Sequence, residues 1–170
     1  MKKTVKAAGK SDINPLEFTA RAILLGIALA VIMAAANTYL GLYAGMTVSA
    51  SIPAAVISMS IMRGLMKKGT ILENNIVQTM ASAGESLAAG IIFTVPALVI
   101  IGVWKEFRFW PTTLIALCGG LLGVIFMIPM RRALIVEDRS LSYPEGVASA
   151  EVLKAGDAQG PGFHAILGGL

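Results

Sequence analysis

The sequence predicts an all-α membrane protein: four transmembrane helices paired as two antiparallel hairpins, followed by a short helix on the cytoplasmic side. Three observations carry this prediction. Hydrophobic residues make up 56% of the 170 residues without counting glycine, where a typical soluble domain has about 45–50% with glycine included. Charged residues are 14%, against about a quarter in such a domain, and the mean hydropathy is +0.76. The basic residues also cluster at the ends of four apolar runs. The net charge of +4 is therefore a set of topology signals and not a nucleic-acid footprint. The lipid bilayer is the expected surrounding, in a multi-pass arrangement.

Residues 1–19 form a polar, basic N-terminal segment, with Lys2, Lys3, Lys6 and Lys10 against Asp12 and Glu17. Asn14-Pro15 reads as a turn ahead of a helix. The leader is long and contains two acids, which is atypical of a signal peptide. The apolar run over 21–43 is accordingly read as a first spanning helix, since about 20 residues cross the hydrocarbon core. Gly26, Ala30, Ala34, Asn37 and Gly41 recur along one side of it. Such a face lets another helix approach closely. Asn37 is either a polar clip in that contact or a lining residue of a path.

The chain turns at Ala44-Gly45 and re-enters over 46–65, so the first two spans form a hairpin. Ser49, Ser51 and Pro53 fall in the first half of the second span. Proline removes a backbone hydrogen bond and nearby serines can satisfy the freed carbonyl. The pattern favours a kink or local unwinding, serving either packing or a cavity. A third span over 74–104 and a fourth over 111–130 make the second hairpin. Trp104 and Trp110 flank the short outer loop as interfacial anchors. Cys118 lies in the fourth span as a small core residue; a lone cysteine forms no internal disulfide.

Orientation follows from the basic residues. Lys2, Lys3, Lys6, Lys10, Arg21, Arg63, Lys67, Lys68, Arg131, Arg132 and Arg139 fall on the N-terminal side, and only Lys105 and Arg108 on the other. That bias places the N-terminus in the cytoplasm. The four spans occupy 20–132. Residues 133–162 then form a cytoplasmic-side segment with a helix over 144–155. There Ser142 and Glu145 have the spacing of a capping box, and Pro144 suits a first turn. Residues 163–170 read as the start of a truncated fifth apolar helix.

The third span carries the chemistry. Asn74, Gln78, Ser82 and Glu85 fall within one quadrant of the helix, with Asn75 and Ser86 beside it. A charge at the bilayer centre costs roughly 2.5–3.5 kcal/mol on insertion scales. Glu85 must therefore face a cavity, pair with another group, or be protonated. A stripe lining a substrate or ion path accounts for an ionisable residue better than helix-to-helix glue does. Further along, Ala88-Ala89-Gly90 and Pro96 either break the helix into two halves around a midplane site or leave a simple kink.

No catalytic residues emerge. The one histidine, His164, falls in the C-terminal apolar stretch, which leaves no Ser–His pair across the spans and no metal cage. A phosphate-binding glycine loop is also missing. No cofactor is expected, and an enzyme is not the expected class.

Three stretches resemble the oligopeptide transporter (OPT) superfamily. The first is Asn37-Thr-Tyr-Leu-Gly-Leu-Tyr-Ala-Gly45 running into Thr47-Val-Ser-Ala-Ser-Ile-Pro-Ala-Ala55. The second is Glu73-Asn-Asn-Ile-Val-Gln-Thr79 with Ala83-Gly-Glu-Ser-Leu-Ala-Ala-Gly90, similar to the bacterial branch related to the yellow-stripe-like metal-chelate carriers. The third is Ser142-Tyr-Pro-Glu-Gly146 with Ala150-Glu151. The resemblance runs from about Leu16 to the end. It implies the N-terminal part of a larger helical-bundle secondary carrier, typically proton-driven, for oligopeptides or peptide-like metal chelates. A bacterial cytoplasmic membrane is the implied location, and protons, the substrate and the remaining helices are the implied partners.

Asn74, Asn75, Gln78 and Thr79 match one family motif, and Tyr143, Pro144, Glu145 and Gly146 match the other. Eukaryotic branches share the Asn–Gln–Thr part more than the Gly84-Glu85 pair. Asn37, Asn74, Asn75, Gln78, Ser82 and Glu85 are therefore the expected path residues. The competing expectation is a truncated, non-transporting bundle with a structural or association role.

Overall fold

The computed structural model describes residues 18–65, 69–138 and 140–157. All the secondary structure among them is helical. The elements are α1 (Ala20–Ala44), α2 (Ser51–Met59) running into a π-helical segment (Ser60–Leu65), α3 (Ile71–Ile100), α4 (Phe109–Arg131) running into a second π-helical segment (Arg132–Glu137), and α5 (Pro144–Asp157). Most of the expected N-terminal segment over 1–19, and all of the expected fifth helix over 163–170, lie outside the described residues.

Helix α1 starts where Thr19 accepts a hydrogen bond from the Ala22 amide at 3.3 Å. It ends where Gly45 adopts φ 69°, a left-handed turn that glycine takes without a Cβ clash. Helix α3 starts on a full capping box. The Glu73 amide donates to Thr70 Oγ1 at 3.1 Å, and the Thr70 amide donates back to Glu73 Oε2 at 3.0 Å. Its signature, Thr70 followed three residues later by Glu73, is legible in the sequence. The box predicted at Ser142 and Glu145 is replaced: Glu145 reaches across to α2 instead.

Helices α1 and α3 run parallel and form the spine of the fold. Arg21 meets Glu73, Gly26 faces Met80, Ala30 faces Gly84 and Gly41 faces Ile92. The face of small residues predicted on α1 is this contact. A Cβ on Gly84 would stand 2.8 Å from the Ala30 carbonyl oxygen, so glycine there sets how closely the helices approach. At the starting ends, Arg21 Nε and Nη2 hold the two Glu73 carboxylate oxygens at 2.8 and 2.9 Å. Thr19 Oγ1 donates to Glu73 Oε1 at 2.5 Å. Ala22, Leu29, Ala54, Met62, Val77 and Ala81 form the apolar core between α1, α2 and α3.

Among the described residues, three helices are long and apolar enough to cross a membrane: Ala20–Ala44, Ile71–Ile100, and Phe109 through Glu137. The span predicted over 46–65 takes a different form. Residues 46–50 are not helical, α2 has nine residues, and the π-helical continuation adds six. At 1.5 Å per residue this helical stretch covers about 22 Å, short of the roughly 30 Å hydrocarbon core. The segment nonetheless returns the chain from the end of α1 to the start of α3, antiparallel to α3, as Ser51 against Ser82 and Ser58 against Asn74 show.

The cause is local. Asn37 satisfies both backbone polar groups of Val48, which lets the backbone run without a helical ladder. Pro53 then falls in the first turn of α2, where its missing N–H costs nothing. The break precedes the proline. Helix α3, by contrast, is continuous through Gly90 and Pro96.

Helix α5 lies parallel to α2. Its first turn meets Ser51 through Glu145, and its last turn meets Arg63 through Asp157 and the Gly156 carbonyl. Leu153 packs between them against Ala55 and Met59. It runs to Asp157, two residues past its predicted end. The start of helix α4 and the end of α3 line one cavity, with Phe109 and Thr112 on one side and Ile92 and Pro96 on the other. No residue of α4 is buried among the described residues.

Candidate functional site

The two short helices begin side by side against the polar stripe of α3. Ser51 is the first residue of α2, and Glu145 lies in the first turn of α5. Ser51 Oγ donates to Glu145 Oε1 at 2.6 Å, and Ser49 Oγ donates to the same oxygen. Ser51 Oγ also lies 3.0 Å from Ser82 Oγ. Because its own proton is given to Glu145, Ser51 accepts from Ser82. The Ser49 and Ser51 hydroxyls hold the Glu145 carboxyl below its ordinary range, so it stays anionic. On α3, Glu85 is 8% exposed. The Ala50 backbone N–H, just ahead of α2, lies against its carboxylate.

A helix N-terminus carries roughly half a positive charge and unpaired N–H groups. Two such ends meet two carboxylates here, which is the arrangement this electrostatics favours. Ser82 is the twelfth residue of α3, so the cluster lies about 16 Å along that helix from its start.

The structure sorts the predicted residues into three groups. Gln78, Ser82 and Glu85 face this cluster or the cavity beside it. Asn75 lines the same cavity from an exposed position. Asn37 and Asn74 are committed to the fold. Asn37 is bonded to Val48 as described, and Asn74 is fully buried, accepting from Ser58 Oγ at 2.6 Å and donating to the Thr70 carbonyl at 3.1 Å. Thr79 faces outward and bonds to the Asn75 carbonyl of its own helix at 2.8 Å. Tyr143 anchors the approach to α5 through its hydroxyl, which donates to the Leu134 carbonyl at 2.9 Å. Pro144 and Gly146 form the first turn of α5 with Glu145.

Between α3 and α5 lies a cavity of about 770 Å³, lined by Ser51, Asn75, Gln78, Tyr143, Glu145 and Ser149 among others. Ser149 is 5% exposed, and its hydroxyl has no hydrogen-bond partner among the described residues. Ser49, Ser51 and Ser149 were not singled out as site residues from sequence. The serines ahead of Pro53 offered a signal for the break, but no sequence pattern brings α5 against it, because the two meet across 94 residues.

Residues 17–167 match the family described as OPT oligopeptide transporter protein. A Haemophilus influenzae protein named "Putative oligopeptide transporter" is 54% identical over 70% of this chain. A Saccharomyces cerevisiae protein with the same description is 25% identical over 81% of it. These alignments cover 18% and 21% of the two relatives, so the chain spans about a fifth of their length. No solved structure matches the chain. With its long apolar helices and a family match over most of its length, the chain is an integral membrane protein and belongs to the OPT oligopeptide transporter family.

Proposed function

We propose that these residues form one wall of the substrate and proton path of a secondary carrier for oligopeptides or peptide-like metal chelates. The single observation that carries the reading is the meeting of the α2 and α5 starts against Ser82 and Glu85 of α3. Interrupted helices whose ends face a polar site within the membrane are the usual architecture of secondary carriers. Non-helical backbone at such depth is tolerated where it is buried in protein or lines a cavity. Of residues 46–50 only Ala50 is buried in this chain; Asn37 satisfies the Val48 backbone, and Ser49 turns toward the polar cluster through Glu145.

In this reading Glu85 is the protonation site, and Gln78, Ser82 and Asn75 line the path beside it. The starting ends of α1 and α3 face the cytoplasm, in a bacterial cytoplasmic membrane, in keeping with the excess of basic residues there. The test is uptake by the full-length carrier, reconstituted in vesicles with an imposed pH gradient. Glu85→Gln is expected to abolish the acceleration by the gradient while leaving substrate binding measurable. An unchanged gradient dependence and rate would remove Glu85 from the coupling role. A full-length protein that moves neither peptides nor chelates would favour the association role instead.

A further inference from the structure

We infer that the cavity between α3 and α5 receives the free amino terminus of a peptide, its ammonium group set on the Glu145 carboxylate with Ser149 and Gln78 as flanking acceptors. The inference rests on the carrier reading above and narrows its substrate class.

Glu145 has one carboxylate oxygen left to offer. Both serine hydroxyls bond to its Oε1, and Oε2 has no partner among the described residues. An ionised carboxylate only accepts hydrogen bonds, so a group seated on Oε2 must be a donor, and an anion is repelled. The serine hydroxyls also keep the carboxylate charged. One turn further along α5, on the same face, Ser149 presents the unpartnered hydroxyl. A buried hydroxyl without a partner costs free energy, and a bound donor would relieve that cost. From α3, the Gln78 amide lines the same space and bonds to nothing among the described residues.

A primary ammonium offers three donors and one positive charge, which matches three acceptors and one carboxylate. Hydrogen bonds between charged partners are about twice as strong as neutral ones. At the far end of the cavity Lys154 is engaged by Glu151 at 2.9 Å. It lies nine positions beyond Glu145, about 13 Å along the helix, so it does not compete for the carboxylate.

The experiment compares uptake of trialanine and N-acetyl-trialanine by the full-length carrier in vesicles, at concentrations well below saturation. Acetylation leaves the peptide chain intact and removes the ammonium. Trialanine is expected to enter at least tenfold faster. Glu145→Gln should bring the ratio close to one, and Ser149→Ala should lower it severalfold with less effect on folding. Equal uptake of the two peptides by the unmodified carrier would overturn the inference while leaving the carrier reading intact. Uptake of metal chelates without either peptide would overturn it as well. Absence of any uptake would overturn both.

Discussion

Asn37 of α1 pairs with Val48 as a neighbouring strand would: its Nδ2 donates to the Val48 carbonyl at 2.8 Å, and the Val48 amide donates to its Oδ1 at 3.1 Å. One side chain thus replaces the helical ladder at the point where the returning segment is not helical. A typical intramolecular hydrogen bond contributes about 0.5–1.5 kcal/mol net, and Asn37→Leu would remove both bonds to Val48. The expected result is a loss of roughly 1–3 kcal/mol in the full-length protein, read from its thermal unfolding in detergent. A Leu variant as stable as the parent would show that residues 46–50 do not depend on the clip.

Gly84 faces the Ala30 backbone, and a Cβ there would stand 2.8 Å from the carbonyl oxygen and 2.9 Å from the Ala30 Cβ. Backbone cannot swing aside as a long side chain can, so the helices must separate. Gly84→Ala is expected to destabilise by about 1–3 kcal/mol, the usual cost of overpacking. Gly90, with open space around its missing Cβ, should accept alanine freely. Comparable melting temperatures for the two variants would contradict the close approach of α1 and α3.

Arg21 and Glu73 form a salt bridge in which the Glu73 side chain is 1% exposed and that of Arg21 35%. Removing one partner of a buried pair costs about 3–5 kcal/mol, whereas replacing both with apolar residues is often neutral. Arg21→Met should therefore destabilise more than the double variant Arg21→Met, Glu73→Leu. Additive effects in such a cycle would mean that the pair contributes little beyond its individual bonds to Thr19 and Thr70.

Glu145 gives a pH signature. Its folded-state pKa lies below the ordinary 4.5, first through the Ser49 hydroxyl and then through Ser51. A depressed carboxylate stabilises the fold above its unfolded pKa, and the contribution is lost as pH falls through the folded value. The protection of the first-turn amides of α5 against hydrogen exchange, taken relative to the intrinsic rate at each pH, should accordingly be high at neutral pH and fall as the pH is taken from above 4.5 to below it. Ser49→Ala with Ser51→Ala should make exchange faster at neutral pH and flatten that dependence. A pH response that survives the double variant would place its origin elsewhere.

Much of this was readable in the chain. The apolar runs of α1, α3 and α4 announce spanning helices because hydrocarbon admits little else. The small-residue face of α1 and the stripe of Asn74, Gln78 and Glu85 follow from helical periodicity, and both turn inward in the fold. The period of 3.6 places residues on a face, however, without naming what that face meets. Asn37 and Gln78 looked equivalent as polar residues in apolar helices; one is bonded on both sides to backbone, the other lines a cavity.

Periodicity and composition are properties of a single segment, and on that scale the sequence alone determined the membrane setting, the three long helices and the polar face of α3. Which residues share a site depended on contacts between distant segments. Hydropathy could not distinguish residues 46–65 from a full span, since it reads side chains and is blind to whether the backbone is bonded in a helical ladder or to Asn37. Nor could it place Glu145 against Ser51, where the free carboxylate of one short helix finds the hydroxyls at the start of another. Only the tertiary structure decided that, because the hydrogen bonds that fix it cross 94 residues of chain.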